Sequence, residues 1–92
     1  MSPGEIEDVL LDHEAVADVA VVGIPDEQWG EAVAAAIVLK NGKSASEAEL
    51  QQWVKDRLRS SRTPERIKFT SELPYNETGK LLRRKVREDF AD

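Results

Sequence analysis

The sequence contains no cysteine. That excludes a disulfide framework, a thiolate metal site and a redox-active thiol pair. Its single histidine, His13, cannot assemble a zinc site alone, and no metal ligand set is expected. There is also no long hydrophobic run. The longest apolar stretches, Val19–Val22 and Val33–Leu39, fall far short of the roughly 20 residues of a membrane-spanning helix. Met1-Ser2-Pro3-Gly4-Glu5 lacks the basic-then-apolar order of a signal peptide. A cytoplasmic protein without a membrane span is the expectation. With 92 residues there is room for one small core, which excludes a large enzyme that encloses its own cofactor.

Charge is plentiful but uneven. The net charge is −5. Residues 1–49 carry eleven acidic and two basic side chains, whereas residues 50–92 carry seven acidic and eleven basic ones. Overall acidity argues against non-specific nucleic-acid binding, while the basic half suits an anion such as a phosphate. Lys80, Arg83, Arg84, Lys85 and Arg87 form a basic run. No aromatic residue interleaves with it, so a solvated helix face is favoured over a nucleic-acid surface.

Apolar spacing predicts alternating helices and strands. Ser2-Pro3-Gly4-Glu5 has the features of a capped helix start, and Ile6, Val9, Leu10 and His13 follow on one face. Asp18 to Ile24 is a β-rich run that Pro25 is expected to stop, and Pro25 to Glu31 is expected to be a loop. Val33 to Leu39 reads as a second strand, ended by the turn pair Asn41-Gly42 and paired antiparallel to the first. Ser46 and Glu49 form a second capping box, and Leu50, Trp53, Val54 and Leu58 give a helix over 47–59 that crosses to a third strand, Arg66–Thr70. Ser71 to Gly79 is a loop. Thr78 is expected to cap a last helix bearing Leu82, Val86 and Phe90. The expected fold is α+β, a small three-stranded sheet with helices packed on it in the order α-β-β-α-β-α.

The stretch with chemistry in it is Leu73-Pro74-Tyr75-Asn76-Glu77-Thr78-Gly79-Lys80. Glycine allows a backbone to approach a ligand closely, and lysine is a flexible point charge suited to phosphate oxygens. A following helix would add the positive end of its dipole. Such a group can stabilise negative charge that grows in a transition state. The glycine that a phosphate-cradling Walker loop needs upstream of Gly79 is lacking. From the residues alone, a catalytic Lys80 and an exposed loop lysine both fit.

Pro74-x-x-x-x-Gly79-Lys80-x-x-Arg83 resembles the signature that closes the C-terminal domain of the adenylate-forming enzymes: acyl-CoA synthetases, peptide-synthetase adenylation domains and luciferases. Ser2-Pro3-Gly4-Glu5-Ile6-Glu7 resembles the family's first helix. Val21-Val22-Gly23-Ile24-Pro25-Asp26-Glu27 with Trp29-Gly30-Glu31 resembles its middle motif. Leu58 followed by Pro64 resembles the element before its third strand. Leu81-Leu82-Arg83 after the lysine is similar to acyl-CoA synthetases, most like fatty-acid–CoA ligases. Peptide synthetases tend to have Asp-Arg there.

The resemblance implies that residues 1–92 are the mobile C-terminal lid of an AMP-forming ligase whose N-terminal ATP- and acyl-binding domain is absent. That N-terminal adenylation domain is the implied partner, with a carboxylic acid, first of all a fatty acid, and CoA as small-molecule substrates. ATP and CoA both need the other domain, which would also hold any magnesium. Lys80 is the implied catalytic residue, stabilising the adenylation transition state. Gly79 belongs to its loop, Trp29 and Gly30 to the channel for the pantetheine arm, and Arg62 to the CoA phosphates. Trp29 as an aromatic packed in its own domain remains an equal reading. Ser61 departs from the family's usual aromatic at that place. Met1 stands where relatives have a glycine-rich turn and hinge, so an excised or truncated domain that folds but does not catalyse alone is expected. A stand-alone, non-catalytic binding or regulatory module of the same fold is the alternative.

Overall fold

Alternate residues of the two Val/Ala-rich segments go to opposite faces of one sheet, as the two-residue period of a strand requires. The computed structural model describes residues 3–28, 30–58 and 63–90. Its elements run α1 (Pro3–Leu11), β1 (Val16–Asp26), β2 (Gly30–Leu39), α2 (Glu47–Leu58), β3 (Arg66–Phe69) and α3 (Arg83–Glu88). The strand order is β1-β2-β3, with β1 antiparallel to β2 and β3 parallel to β2. This is the expected α-β-β-α-β-α order.

One face holds Val19, Val21, Val33, Ala35, Ile37 and Ile67 beneath Ile6 and Leu10 of α1 and Leu50 and Val54 of α2. The other holds Ala20, Val22, Ile24, Ala32, Ala34 and Ala36 against Leu73, Val86 and Phe90. The four alanines there leave room for the short helix α3 to lie close to the sheet. Two separate apolar clusters therefore sandwich the strands, each buried area contributing about 25 cal/mol per Å² removed from water.

β1 and β2 are longer than the sequence suggested, while β3 stops at Phe69, one residue short of the expected Thr70. Pro25 does not stop β1, which runs on to Asp26 and pairs Pro25 with Glu31, so of the expected loop only Glu27 and Gln28 remain outside the strands among the described residues. β1 is an edge strand. Pro25 has the same parity as Val21, whose N–H and C=O point away from β2, so its missing N–H breaks no ladder bond. Ile67 enters the core as expected, but Phe69 on the same side of β3 is exposed.

In the second capping box, Ser46 Oγ accepts from the Glu49 N–H at 3.1 Å. The Glu49 carboxylate does not complete the box; it accepts from His13 Nε2 at 2.8 Å. His13 lies past the end of α1, buried, with Nδ1 accepting the Ala15 N–H at 3.0 Å. That fixes the proton on Nε2. Trp53 Nε1 donates to the Val9 carbonyl at 2.7 Å, tying α2 to α1. Glu47 covers the outer edge of β3, accepting the Ile67 N–H at 3.1 Å.

Candidate functional site

Leu73 is buried under the second face, and from it the chain turns out into solvent and back. The excursion is a small hairpin. Tyr75 and Leu81 form an antiparallel bridge, and the Leu82 N–H donates to the Pro74 carbonyl at 2.8 Å. At its tip the Asn76 N–H donates to the Lys80 carbonyl at 2.9 Å, and the Gly79 N–H donates to the Asn76 carbonyl at 3.0 Å. Asn76 Oδ1 accepts from the Thr78 N–H at 3.0 Å, the Thr78 hydroxyl at 2.8 Å and the Lys80 N–H at 2.9 Å. Gly79 has φ +85°, a conformation that costs an L-residue about 1–2 kcal/mol. A Cβ there would meet nothing within 4 Å, so within the chain the glycine serves its backbone angle.

Lys80 is exposed, and among the described residues its ammonium has no hydrogen-bond or ion-pair partner. It does not sit in the first turn of a helix. Thr78 is not an N-cap, because α3 starts only at Arg83, with Leu82 at the cap position and no side-chain cap; the Thr78 N–H and hydroxyl both donate to Asn76 instead. Lys80 thus precedes the helix by three residues, and the reinforcement expected from a helix dipole is lost. In sequence it opens the basic run Lys80, Arg83, Arg84, Lys85 and Arg87, with no acidic residue between positions 80 and 87.

Two contacts mount this hairpin on the sheet. The Tyr75 hydroxyl donates to Asp18 Oδ2 at 2.6 Å. This bond to Asp18, then desolvation and the Asp18 and Glu7 charges, raise the Tyr75 pKa above the ordinary phenol value of 10.0. Arg83 makes a forked ion pair with Glu7 of α1, Nη1 to Oε2 at 2.7 Å and Nη2 to Oε1 at 3.1 Å. Nη1 also donates to the Val21 carbonyl at 2.6 Å, while the Val21 N–H donates to Glu7 Oε2 at 2.8 Å. The pair therefore caps the open edge of β1 and clasps the helices of both faces to it. The hydrogen bond to Glu7 raises the Arg83 pKa, opposed by desolvation and assisted by the Glu7 charge.

Of the residues singled out by sequence, Gly79 and Lys80 share this loop. Gly30 does not join them. It opens β2 opposite Asp26, exposed, with φ +82° and nothing within 4 Å of a Cβ. The Lys80 loop is anchored at Asp18 and Gly30 pairs with Asp26; those anchors are roughly 26 Å apart along β1 at about 3.3 Å per residue. Beside Gly30, an open cleft of about 560 Å³ is lined by Ile24, Asp26, Gln28, Ala32 and Arg66 among others. Trp29 and Arg62 lie outside the described residues, as do Ser2 and Ser61. Sequence reasoning missed Asn76, Tyr75, Asp18 and Glu7. An Asn two residues before a Thr and three before a Gly is the signal of an Asx turn closed by a left-handed residue; the Tyr75–Asp18 and Glu7–Arg83 contacts span 57 and 76 positions and leave no local signal.

Comparison with known proteins agrees with this architecture. The chain is 43% identical over 88 residues to the fatty acid–[acyl-carrier-protein] ligase ScoC of Streptomyces coeruleorubidus, covering 96% of this chain and 17% of that protein. It is 40% identical over 87 residues to a long-chain-fatty-acid–CoA ligase of Bacillus subtilis, covering 95% of this chain and 16% of that protein. Among solved structures it resembles a Mycobacterium tuberculosis fatty acyl CoA synthetase (TM-score 0.87, 38% identity, 96% of this chain and 17% of that one). It also resembles the amide bond synthetase McbA from Marinactinospora thermotolerans (TM-score 0.93, 36% identity, 99% and 19%). The chain spans about a sixth of the length of the curated relatives it matches. Residues 5–80 match the family described as AMP-binding enzyme C-terminal domain, ending on the loop lysine itself, and the chain belongs to that family.

Proposed function

We propose that this domain is the mobile C-terminal lid of an AMP-forming acyl-CoA ligase. In such a ligase the carboxylate of an acid attacks the α-phosphate of ATP, pyrophosphate leaves, and the acyl adenylate is then passed to the thiol of CoA. The single observation that carries this reading is the exposed ammonium of Lys80, without a partner among the described residues, on a loop held by internal hydrogen bonds. A charge without a partner among the described residues is free to meet an anion supplied by another domain, and an exposed glycine beside it leaves space for one. In adenylation Lys80 neutralises charge shared between carboxylate and α-phosphate, an electrostatic contribution from a closing lid.

The separation of Gly30 from Lys80 suits a domain that turns a different surface to its partner in each half-reaction. Gly30, with Trp29, then faces the pantetheine arm, and Arg62 the CoA phosphates. Fatty acids are the first candidate substrates, since relatives named for fatty-acid ligation recur among the similar proteins.

The test is to join this domain to an adenylation domain of the family and measure pyrophosphate exchange across a panel of carboxylic acids. Acid-dependent exchange is expected with a medium- or long-chain fatty acid and none with the 92-residue chain alone. Acyl-CoA formation by the chain alone, or no exchange with any acid by the joined protein, contradicts the proposal.

A further inference from the structure

The ammonium of a lysine hangs from a flexible stem, so its reach is set by where its backbone is held. Residues 76–80 are all exposed, and no buried side chain fixes the tip of this loop. Its shape rests on hydrogen bonds, and these converge on one residue. Both backbone polar groups of Lys80 bond to Asn76: the N–H to Oδ1 at 2.9 Å and the carbonyl to the Asn76 N–H at 2.9 Å. The same Oδ1 draws in the Thr78 N–H and hydroxyl, and the Asn76 carbonyl takes the Gly79 N–H.

We infer that Asn76 is a positioning residue for Lys80: its carboxamide oxygen fixes the backbone from which the ammonium reaches an anionic substrate. This rests on the reading that Lys80 acts in adenylation. The acceptor is the operative feature. Alanine at 76 keeps the two backbone bonds and loses all three side-chain ones. Aspartate keeps an oxygen at the same place and accepts the same donors. A loop released in this way lets the ammonium wander while its charge is intact.

The experiment compares Asn76→Ala, Asn76→Asp and Lys80→Ala in the ligase in which this domain is joined to an adenylation domain. ATP–pyrophosphate exchange with a fatty acid reads the first step; thioester formation from the matching synthetic acyl adenylate reads the second. Asn76→Ala is expected to lower kcat for exchange on the order of tenfold, less than the 10²-fold that a misplacement of about 1 Å can cost. KM for the acid and the thioester step stay within about twofold. Asn76→Asp is expected to recover most of the lost rate. Exchange by Asn76→Ala within about twofold of the parent while Lys80→Ala is crippled overturns the inference and leaves the role of Lys80 standing. So does failure of Asn76→Asp to recover, or an equal fall in both half-reactions, which marks general damage to the fold. Full exchange by Lys80→Ala instead sinks the reading of Lys80 itself, and the positioning role with it.

Discussion

Replacing Arg83 by alanine tests whether the clasp between α1, β1 and α3 holds the domain together. The change removes three hydrogen bonds, two to Glu7 and one to the Val21 carbonyl. Among the described residues it leaves the Glu7 carboxylate, 15% exposed, with only the Val21 N–H. A hydrogen bond to a charged group contributes about 1.5–3 kcal/mol. The Arg83 side chain is 39% exposed, however, and water screens the ion-pair part toward the fraction of a kcal/mol found for surface pairs. The expected net loss is about 2 kcal/mol. For a domain of this size that lowers Tm by roughly 8–16 °C. Arg83→Lys keeps the charge but cannot fork, so it should fall between parent and alanine. Thermal unfolding of the 92-residue chain, followed by circular dichroism, reads all three. A Tm for Arg83→Ala within about 2 °C of the parent refutes the clasp, since a net loss that small is below 1 kcal/mol.

Other expectations follow from the same geometry. Tyr75 is the chain's one tyrosine, so ultraviolet titration reads it directly. Its midpoint should lie above the ordinary 10.0 and move back toward it in Asp18→Ala. Because the folded pKa is the raised one, the stability from this bond is fully present below the ordinary phenol value and is lost as pH rises through the folded one. Gly79→Ala should strain the loop by about 1–2 kcal/mol without any clash, lowering pyrophosphate exchange in the joined ligase more than it lowers Tm. Leu50→Ala, at a fully buried site on the inner face of α2, should cost about 2–5 kcal/mol in denaturant unfolding; a loss under 1 kcal/mol would mean α2 is not packed on the sheet as described.

The fold was legible wherever its cause was local. The β-rich run Asp18 to Ile24 and the short apolar run Val33 to Leu39 mark two strands, and Ser46 marks a helix start that the structure keeps. Legibility ended where a tertiary fact decided the outcome. Pro25 is tolerated because β1 is an edge, which strand order alone reveals. Thr78 bonds back to Asn76 and caps no helix, since α3 starts only at Arg83, and Glu49 leaves its capping box for His13, 36 residues away. At the site, Gly79 and Lys80 were evident as a loop and a charge. The residues that mount that loop were not, because Tyr75, Asp18, Glu7 and Arg83 meet only after the sheet has formed.

The most direct test of the central claim compares two rates in one protein. In the ligase formed by joining this domain to an adenylation domain, Lys80→Ala should slow acid-dependent pyrophosphate exchange on the order of 10²-fold. Thioester formation from supplied acyl adenylate and CoA should stay close to that of the parent. Equal loss in both half-reactions, or undiminished exchange, would contradict the account.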